Sequence, residues 1–267
     1  MIRIENVFKK FGDKEVIHDL SLQVPKGELF AYLGPNGAGK TTTIKMLTGL
    51  LKPTAGRILV KGHDIENEPL EAKRGISYVP DLPYLYEKLT SQEFLRFIGN
   101  LYGVDGPLLE EKIDHFLALF DLQEFRDFLI EDLSHGMRQR LVFGAALLHD
   151  PEIMIIDEPM VGLDPKSARL VKDILRERAD NGATVFMSTH SLSVAEELAD
   201  RIGILNHGRL TTVTTFQELK EMSGEDARLE DIFLQMTAEK TVPLRIADCG
   251  LRNGKPEAEN PKSRRPE

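Results

Sequence analysis

The sequence predicts an α/β protein built from an N-terminal antiparallel β subdomain, a parallel α/β core and a helical insertion subdomain. Three observations support this prediction. Short apolar segments separated by glycine, proline and aspartate dominate the first ~80 residues. A helical pattern follows over about 90–150, and strands alternate with helices after Pro151. Such alternation is typical of a parallel sheet covered by helices.

The first strands are predicted from their composition. Each segment is rich in valine, isoleucine, leucine or aromatic residues, and turn-forming residues separate it from the next. The four segments are IRIENVF, SLQVP, ELFAYL and RILVKG. We therefore expect β-strands throughout the first part of the chain.

A helical insertion is predicted over about 82–150. Thr90 and Glu93 form a capping box that begins a helix, and Gly103 suits its C-terminal end. Its predicted apolar face consists of Phe94, Phe97, Ile98 and Leu101. A second helix has a predicted apolar face formed by Leu109, Ile113, Phe116, Leu117 and Phe120.

The second half of the chain supplies the rest of the predicted core. The continuous apolar run EIMIID is expected of a strand that is covered on both faces. Helices are predicted at Ala168–Ala179 and Val194–Ala199, and strands at ATVFMST and RIGILN. A short helix at Leu229–Met236 closes the predicted domain, which spans 1–236. Prolines among charges over 237–267 predict a disordered tail.

Composition excludes several classes of protein. Hydrophobic residues make up 41% and charged residues 29% of the chain, as in ordinary globular proteins. The one cysteine, Cys249, excludes an internal disulfide framework. The net charge of −9 argues against a general nucleic-acid coat, so no nucleic-acid partner is expected.

No apolar run approaches the roughly 20 residues that span a bilayer, and the N-terminus lacks the apolar segment of a signal peptide. We therefore expect a cytoplasmic protein.

The segment GPNGAGKT, Gly34 to Thr41, follows the predicted strand LFAYL and precedes an apolar helix. This is the setting in which Gly-x-x-x-x-Gly-Lys-Thr binds phosphates, and it predicts a P-loop NTPase core. Backbone N–H groups would face the phosphates, Lys40 would reach the β- and γ-phosphates, and the Thr41 hydroxyl would bind Mg²⁺. The alternative is an ordinary glycine-rich turn. The candidate binding residues are Asn36, Gly37, Ala38, Gly39, Lys40, Thr41 and Thr42.

A second motif, IMIIDEP, ends a buried strand with two acids. Asp157 is predicted to hold Mg²⁺, and Glu158 to activate the attacking water. A strand end with solvated acids is the alternative, which the neighbouring phosphate loop disfavours. Together the two motifs indicate a nucleoside triphosphatase without saying which kind.

The stretch LSHGMRQRL, by itself, predicts a helix that is capped by Ser134 and exposes Arg138 and Arg140.

When this stretch is considered together with the two motifs, the chain resembles the ATP-binding cassette (ABC) family over about 1–236. LSHGMRQ resembles the family's signature, usually Leu-Ser-Gly-Gly-Gln. VGLDP, with Asp164, resembles its D-loop, and STH, with His190, its switch histidine. Phe11 occupies the place of the aromatic residue that stacks on adenine.

The resemblance implies a mechanism with ATP and Mg²⁺. Two cassettes, identical or homologous, pack head-to-tail with two ATP molecules between them. Ser134 and the Gly136 amide of one cassette would touch the γ-phosphate bound by the other, and Asp164 is a further candidate nucleotide-binding residue. His190 would hold the γ-phosphate and the attacking water, and Glu158 would act as the base.

Two departures from the family pattern stand out. Asp81 replaces the usual glutamine; its carboxylate could approach Mg²⁺, but its charge would face the γ-phosphate unless the metal lies between. In the signature, His135 replaces glycine and Met137 replaces glutamine. Because Ser134 and Gly136 remain, we expect the phosphate contact to persist.

Family members without a membrane span either serve a separate permease or act on ribosomes or DNA. One phosphate loop, no extended heptads and a single cysteine favour the permease. The chain is similar to exporter-type cassettes, including Ecs-like and drug or polysaccharide export branches; an importer subunit is the alternative within transporters. Such a subunit is held at the inner face of the membrane by its permease.

A docking surface for that permease is predicted after position 81. The candidate residues are Tyr84, Leu85, Tyr86, Phe94 and Phe97. Aromatic anchors of this kind suit a helix that docks in a groove. The alternative is that these residues fill the core of the insertion, and we predict partial exposure only for Tyr84 and Tyr86.

Overall fold

Two β-sheets organise the structure, a computed structural model that describes residues 1–223 and Phe233. In chain order the strands are β1 (Ile2–Phe11), β2 (Lys14–Val24), β3 (Leu29–Leu33), β4 (Ala55–Val60), β5 (His63–Asp64), β6 (Ile76–Val79), β7 (Ile153–Asp157), β8 (Thr184–Thr189), β9 (Arg201–Asn206) and β10 (Arg209–Thr214). The helices are α1 (Lys40–Leu47), α2 (Pro69–Lys73), α3 (Ser91–Leu101), α4 (Gly106–Leu119), α5 (His135–Leu147), α6 (Pro165–Asp180), α7 (Leu192–Leu198) and α8 (Phe216–Ser223).

The smaller sheet has the order β2-β1-β4-β5, and all its pairs are antiparallel. This confirms the predicted N-terminal antiparallel subdomain. The larger sheet has the order β10-β9-β3-β8-β7-β6. Its pairs are parallel except that β10 runs antiparallel to β9 at one edge. The α/β class is therefore confirmed, with β3 and β6 leaving the first part of the chain to join the larger sheet.

The reason for this division is visible in β3, all of whose side chains are buried. Leu29, Ala31 and Leu33 pack into one hydrophobic cluster, together with residues of the helical insertion. Phe30 and Tyr32 pack into a second cluster with residues of the antiparallel sheet. A strand that is apolar on both faces must lie inside a sheet covered on both sides, because burial of apolar area favours folding.

The capping box that begins α3 is formed as predicted. The Thr90 amide donates to Glu93 Oε2 at 2.8 Å, and the Glu93 amide donates to Thr90 Oγ1 at 3.3 Å. Gly103 follows the helix with a φ of 76°, in the left-handed region that ends helices. The predicted boundaries of this helix are thus confirmed.

The predicted apolar face of α3 is wrong in part. Phe94 is buried, but Phe97 and Leu101 are exposed by 42% and 68%. Helix α4 decides which face is buried, because a Cβ on Gly99 would lie 2.2 Å from Leu109 Cδ1. The predicted face of the second helix is confirmed, since all five of its residues are buried.

Strands β7, β8 and β9 and helices α6 and α7 occupy the segments predicted for them. The closing helix predicted at Leu229–Met236 lies outside the described residues apart from Phe233, which is half-buried against the core. The tail predicted over 237–267 also lies outside them, so both remain predictions. No helix within the described ranges is long and apolar enough to cross a membrane.

The carboxyl ends of the parallel strands meet at one edge of the larger sheet. There β3 leads into the glycine-rich loop, β7 ends at Asp157, and β8 ends just before His190. The short β6 ends two residues before Asp81. In open parallel sheets this edge is where ligands bind.

Candidate functional site

The glycine-rich loop between β3 and α1 is held by its close neighbours. A Cβ on Gly34 would lie 2.5 Å from Leu205 O, and one on Gly39 would lie 2.6 Å from Ile17 Cδ1. Gly39 also has a φ of 113°, which L side chains rarely adopt. Glycine at these two positions lets the loop lie between β2 and β9. Asn36 and Gly37 remain exposed at its tip, while Ala38 is buried.

Lys40 turns its side chain back into the loop. Its Nζ donates to Gly34 O at 2.7 Å and to Pro35 O at 3.3 Å, and lies 3.6 Å from Glu158 Oε1. The residue is 6% exposed. Helix α1 begins at Lys40, and no acid lies in its first turn. The free N–H groups of that turn and a buried ammonium make a site for an anion.

Thr41 and Thr42 occupy the same first turn of α1. Thr41 is exposed and Thr42 is half-buried. The Thr41 hydroxyl is therefore accessible beside the free N–H groups of the helix, as a ligand of an incoming phosphate or metal must be.

Two acids lie where β7 ends, and a serine on β8 holds both. Asp157 is 1% exposed and accepts a hydrogen bond from Ser188 Oγ. Glu158 has a φ of 52°, and its amide donates to Ser188 O at 3.2 Å. No motif in the sequence points to Ser188. The signal that identifies it is its register opposite Asp157 in the parallel pair, which only the structure supplies.

The Glu158 carboxylate lies between a cation and an imidazole. Its Oε1 faces Lys40, while its Oε2 is 3.0 Å from His190 Nδ1 and 3.4 Å from the His190 amide. The Glu158 side chain is 13% exposed, against 55% for His190. The structure therefore brings three of the predicted site residues together within one chain. A carboxylate held in this way can accept a proton from a water that reaches it from the exposed side.

Asp81 shares the electrostatic surroundings of the two acids. Burial raises the pKa of the Asp81 carboxyl above its ordinary value, and the charges of Asp157 and Glu158 raise it further. Burial, with smaller contributions from Asp157 and Asp81, also raises the pKa of Tyr78 to about 12. A positively charged ligand at this edge would relieve the repulsion among the three carboxylates.

The donor set fits Mg²⁺. The available ligands are oxygens, the Asp157 carboxylate and the Thr41 hydroxyl, which hard cations prefer. Within the part of the chain that the structure describes, no three histidine, cysteine or acidic side chains group closely enough to bind a metal by themselves. Mg²⁺ keeps several waters and binds one or two protein oxygens together with substrate phosphates. The site thus suits a metal that arrives with a nucleotide.

The segment 133–141 begins α5. Ser134 is the N-cap residue, and its Oγ accepts a hydrogen bond from the Met137 amide at 3.3 Å. The predicted cap is therefore confirmed. The predicted exposure of Arg138 and Arg140 is wrong, because both are half-buried. Arg138 donates to the carbonyl of Glu131 at 2.8 Å, and Arg140 to that of Phe120 at 2.7 Å, so each guanidinium binds backbone carbonyls of the insertion.

This segment packs directly on the loop before α6. A Cβ on Gly162, whose φ is 78°, would lie 2.4 Å from two ring atoms of His135. A Cβ on Gly136 would lie 3.0 Å from Gly162 O. The His135 ring is thus in contact with the loop before α6.

Asp164 caps α6. Its carboxylate accepts hydrogen bonds from the Lys166 amide at 3.0 Å, the Ser167 amide at 3.1 Å and Ser167 Oγ at 2.6 Å. The Ser167 hydroxyl and the two amides lower the pKa of Asp164. The carboxylate is therefore occupied by its own helix.

Several predicted site residues lie apart from Lys40. Phe11 is 50% exposed at the end of β1, and Lys9 Nζ lies 5.0 Å from the centroid of its ring. Among the interactions of the described residues, none joins Lys40 to Phe11, Ser134 or Asp164. Within one chain, Glu158 thus contacts both Lys40 and His190, while no described interaction joins residues 133–141 to Lys40.

Comparison with known proteins gives a consistent result. A profile of the family described as "ABC transporter" matches residues 17–161. The linearmycin resistance ATP-binding protein LnrL of Bacillus subtilis (strain 168) is 38% identical, over 86% of this chain and 74% of that protein. The SkfA peptide export ATP-binding protein SkfE of the same strain is 37% identical, over 86% of this chain and 96% of that protein.

A solved structure supports the same grouping. The structure of an ATP-binding subunit of an ABC transporter superposes on this chain with a TM-score of 0.83. The two chains are 32% identical, and the match covers 88% of this chain and 99% of the other.

Proposed function

We propose, since the chain belongs to the ABC transporter family, that it is the ATP-binding and ATP-hydrolysing subunit of an exporter whose membrane permease is a separate chain. One observation above all supports the proposal. Glu158 lies between Lys40 and His190 at the edge of the sheet where the phosphate loop begins. A phosphate-binding cation, a base and a second polar group are the parts that phosphoryl transfer to water needs.

ATP binding uses the residues around the glycine-rich loop. The amides of residues 36–40 and the first turn of α1 bind the phosphates, and Lys40 exchanges the Gly34 and Pro35 carbonyls for phosphate oxygens. Phe11 stacks on adenine. Thr41 and Asp157 would hold Mg²⁺, which would neutralise phosphate charge. The Asp81 carboxyl, whose pKa is raised by burial and by the charges of Asp157 and Glu158, would respond to that added positive charge.

Hydrolysis uses the acid–histidine pair. Glu158 accepts a proton from the attacking water, and His190 donates a hydrogen bond to the γ-phosphate and orients that water. Because Ser188 holds Asp157 and the Glu158 amide together, the positions of the metal ligand and the base are linked.

A second cassette completes each site. Ser134, Gly136 and Asp164 do not reach the phosphate loop of their own chain through any described contact. In a two-fold, head-to-tail dimer they face the nucleotide of the partner, where the capped N-terminus of α5 provides free N–H groups for the γ-phosphate.

The membrane partner is a permease at the inner face of the membrane. Tyr84 and Tyr86 are 93% and 59% exposed, which confirms the predicted exposure, and Phe97 adds a third exposed ring. The ring centroids of Tyr86 and Phe97 lie 5.3 Å apart. An exposed aromatic patch of this kind suits a docked helix. The names of the relatives SkfE and LnrL, which refer to SkfA peptide export and to linearmycin resistance, favour export over import.

Affinity purification of the tagged Glu158→Gln chain from detergent-solubilised cells with ATP tests this proposal. We expect a stoichiometric membrane protein with several spans to accompany it. The matched control is Asp173→Asn, the same carboxylate-to-amide change on an exposed face of α6. Ribosomal particles or DNA without a membrane protein would instead indicate an ABC ATPase outside transport.

A further inference from the structure

A cleft of about 510 Å³ lies between helix α4 of the insertion and helix α6. Cavities of roughly 300–1,000 Å³ are those in which proteins bind small organic molecules. Phe116 and Leu147, which are 6% and 1% exposed, form the apolar floor of the cleft. Its other apolar residues are Leu108, Leu119 and Ile174. The cleft therefore has the size and the apolar surface of a ligand site.

The lysine and the arginine that line the cleft already have a partner. Asp150 accepts hydrogen bonds from Lys112 Nζ on α4 and from Arg178 Nη1 and Nη2 on α6, the latter two at 3.2 and 3.1 Å. Burial alone would raise the pKa of the Asp150 carboxyl, but Lys112 and Arg178 lower it. Because these three groups satisfy one another, neither cation is free for an anionic ligand.

Two carboxylates in the cleft have no such partner. Glu111 lies on α4 and Glu177 on α6, and both residues are exposed. Within the part of the chain that the structure describes, neither carboxylate makes a hydrogen bond or an ion pair. His115 and Asn181, also exposed, complete the lining. Since the unpaired carboxylates come from both helices, the cleft is complementary in charge to a cation.

The surroundings of these acids indicate which kind of cation fits. A divalent metal ion needs several converging oxygens, and within the described ranges no three histidine, cysteine or acidic side chains group closely enough to bind one. A small hydrated ion would also leave the apolar floor in contact with water. A ligand with one positive group and an apolar body satisfies both the carboxylates and the floor.

The cleft lies near the edge of the larger sheet that is opposite to the phosphate loop. Asp150 and Asn181 shortly precede β7 and β8, at the amino ends of those strands. The phosphate loop follows the carboxyl end of β3, which is parallel to β8. A ligand in the cleft would therefore leave the nucleotide site open.

We propose that this cleft binds a small organic cation with an apolar body. The charged group of the ligand faces Glu111 and Glu177, and its apolar part packs on the floor of the cleft. Because Glu111 belongs to the insertion and Glu177 to a helix beside the larger sheet, the bound cation joins these two parts of the chain. The site goes beyond the function proposed above and does not depend on it.

Two ions of the same shape and opposite charge test the proposal. Tetraphenylphosphonium is an organic cation with an apolar body, and tetraphenylborate is the matching anion. Calorimetry on the purified full-length chain, in sodium buffer without detergent, measures the Kd of each. We expect the cation to bind about tenfold more tightly than the anion, as two partly exposed ion pairs would allow, and added salt to weaken its binding. Equal binding of the two ions, or no binding of the cation, overturns the proposal.

Charge-neutralising variants then locate the bound cation. Glu111→Gln and Glu177→Gln should each weaken its binding about threefold, and the double variant about tenfold. The matched control is Glu124→Gln, which changes an exposed glutamate outside the cleft that also lacks a side-chain partner. The ATPase rate should be unchanged in all of these variants, which establishes that they fold. No loss in the cleft variants, or an equal loss in the control, overturns the assignment.

Two further variants test whether the phenyl groups bind elsewhere. Phe11 and Tyr84 have rings that are 50% and 93% exposed, on which the probe could pack. Phe11→Ala and Tyr84→Ala should leave the Kd of the cation unchanged, and a loss in either places the probe outside the cleft and overturns the proposal. The proposed function is tested separately: if no membrane protein accompanies the Glu158→Gln chain, that function fails while the binding measured on the purified chain stands.

Discussion

Replacing Glu158 with glutamine should separate ATP binding from hydrolysis and strengthen the former. In the structure one carboxylate oxygen lies 3.6 Å from Lys40 Nζ, and the other lies 3.0 Å from His190 Nδ1. The amide keeps the shape of the side chain but is neutral, and it cannot accept a proton. The substitution should therefore slow hydrolysis, because the base is lost, and strengthen ATP binding, because the negative charge beside Lys40 is lost.

The expected magnitudes follow from these contacts. A positioned general base contributes about 10²–10⁴-fold to a rate, so hydrolysis should slow by that factor, equivalent to about 3–5 kcal/mol of barrier. An interaction with a charged group contributes about 1.5–3 kcal/mol. The contact of 3.6 Å between Glu158 and Lys40 is long, so the lower end of that range applies. Since Lys40 no longer gives up this pairing when phosphate binds, ATP should bind about tenfold more tightly.

The assay is a pair of measurements on the purified chain: ATP affinity by calorimetry and phosphate release over time. Asp173→Asn, with its side chain exposed on α6, should leave both unchanged. A Glu158→Gln chain that hydrolyses ATP at the wild-type rate would refute the role of Glu158. Weaker ATP binding would refute the idea that Lys40 is held back by this carboxylate.

Three further predictions concern neighbouring residues. Asp81→Gln should leave ATPase activity within about tenfold of wild type, or about 1.4 kcal/mol of barrier; a collapse of activity would give Asp81 a specific catalytic role. Gly162→Ala should lower ATPase activity because alanine is strained at a φ of 78° and its Cβ would meet the His135 ring; His135→Gly in the same chain should remove the second effect and restore part of the activity. No restoration would mean that the contact is incidental. Ser188→Ala should lower the free energy of unfolding by about 2 kcal/mol, seen as a fall in Tm of about 4–8 °C, since it removes a hydrogen bond to a buried carboxylate. Ser193→Ala, an exposed serine, is the control, and an equal fall in both would contradict the prediction.

Features that depend on neighbours along the chain were predicted well. The capping box of Thr90 and Glu93 formed as expected, and Ser134 caps α5. Each involves groups only three residues apart, so the same hydrogen bonds form wherever the helix is placed. The glycine-rich loop likewise lies between a strand and a helix, as predicted. The flanking apolar runs have the periodicity of those two elements, and glycine allows the backbone to turn sharply between them.

Exposure was predicted less well, because it depends on what packs against each face. Phe97 and Leu101 lie on the apolar stripe expected to be buried, yet α4 approaches α3 at Gly99 and leaves both exposed. For Arg138 and Arg140 the error is the reverse. The sequence suggests that both side chains are exposed, but backbone carbonyls of the insertion bind them and they are half-buried. No local pattern indicates either outcome.

The sequence by itself determined the α/β class, the strand–loop–helix at Lys40 and the acids at the end of β7, since these follow from hydrophobic periodicity and local backbone preferences. Only the tertiary structure decided that Ser188 holds Asp157, 31 positions away, and that Glu158 meets His190 across 32 positions. The physical reason is strand order. Strand β8 lies between β3 and β7, and all three strands are buried along their whole length. Because burial of apolar area on both faces stabilises such an arrangement, residues from distant segments meet in one site.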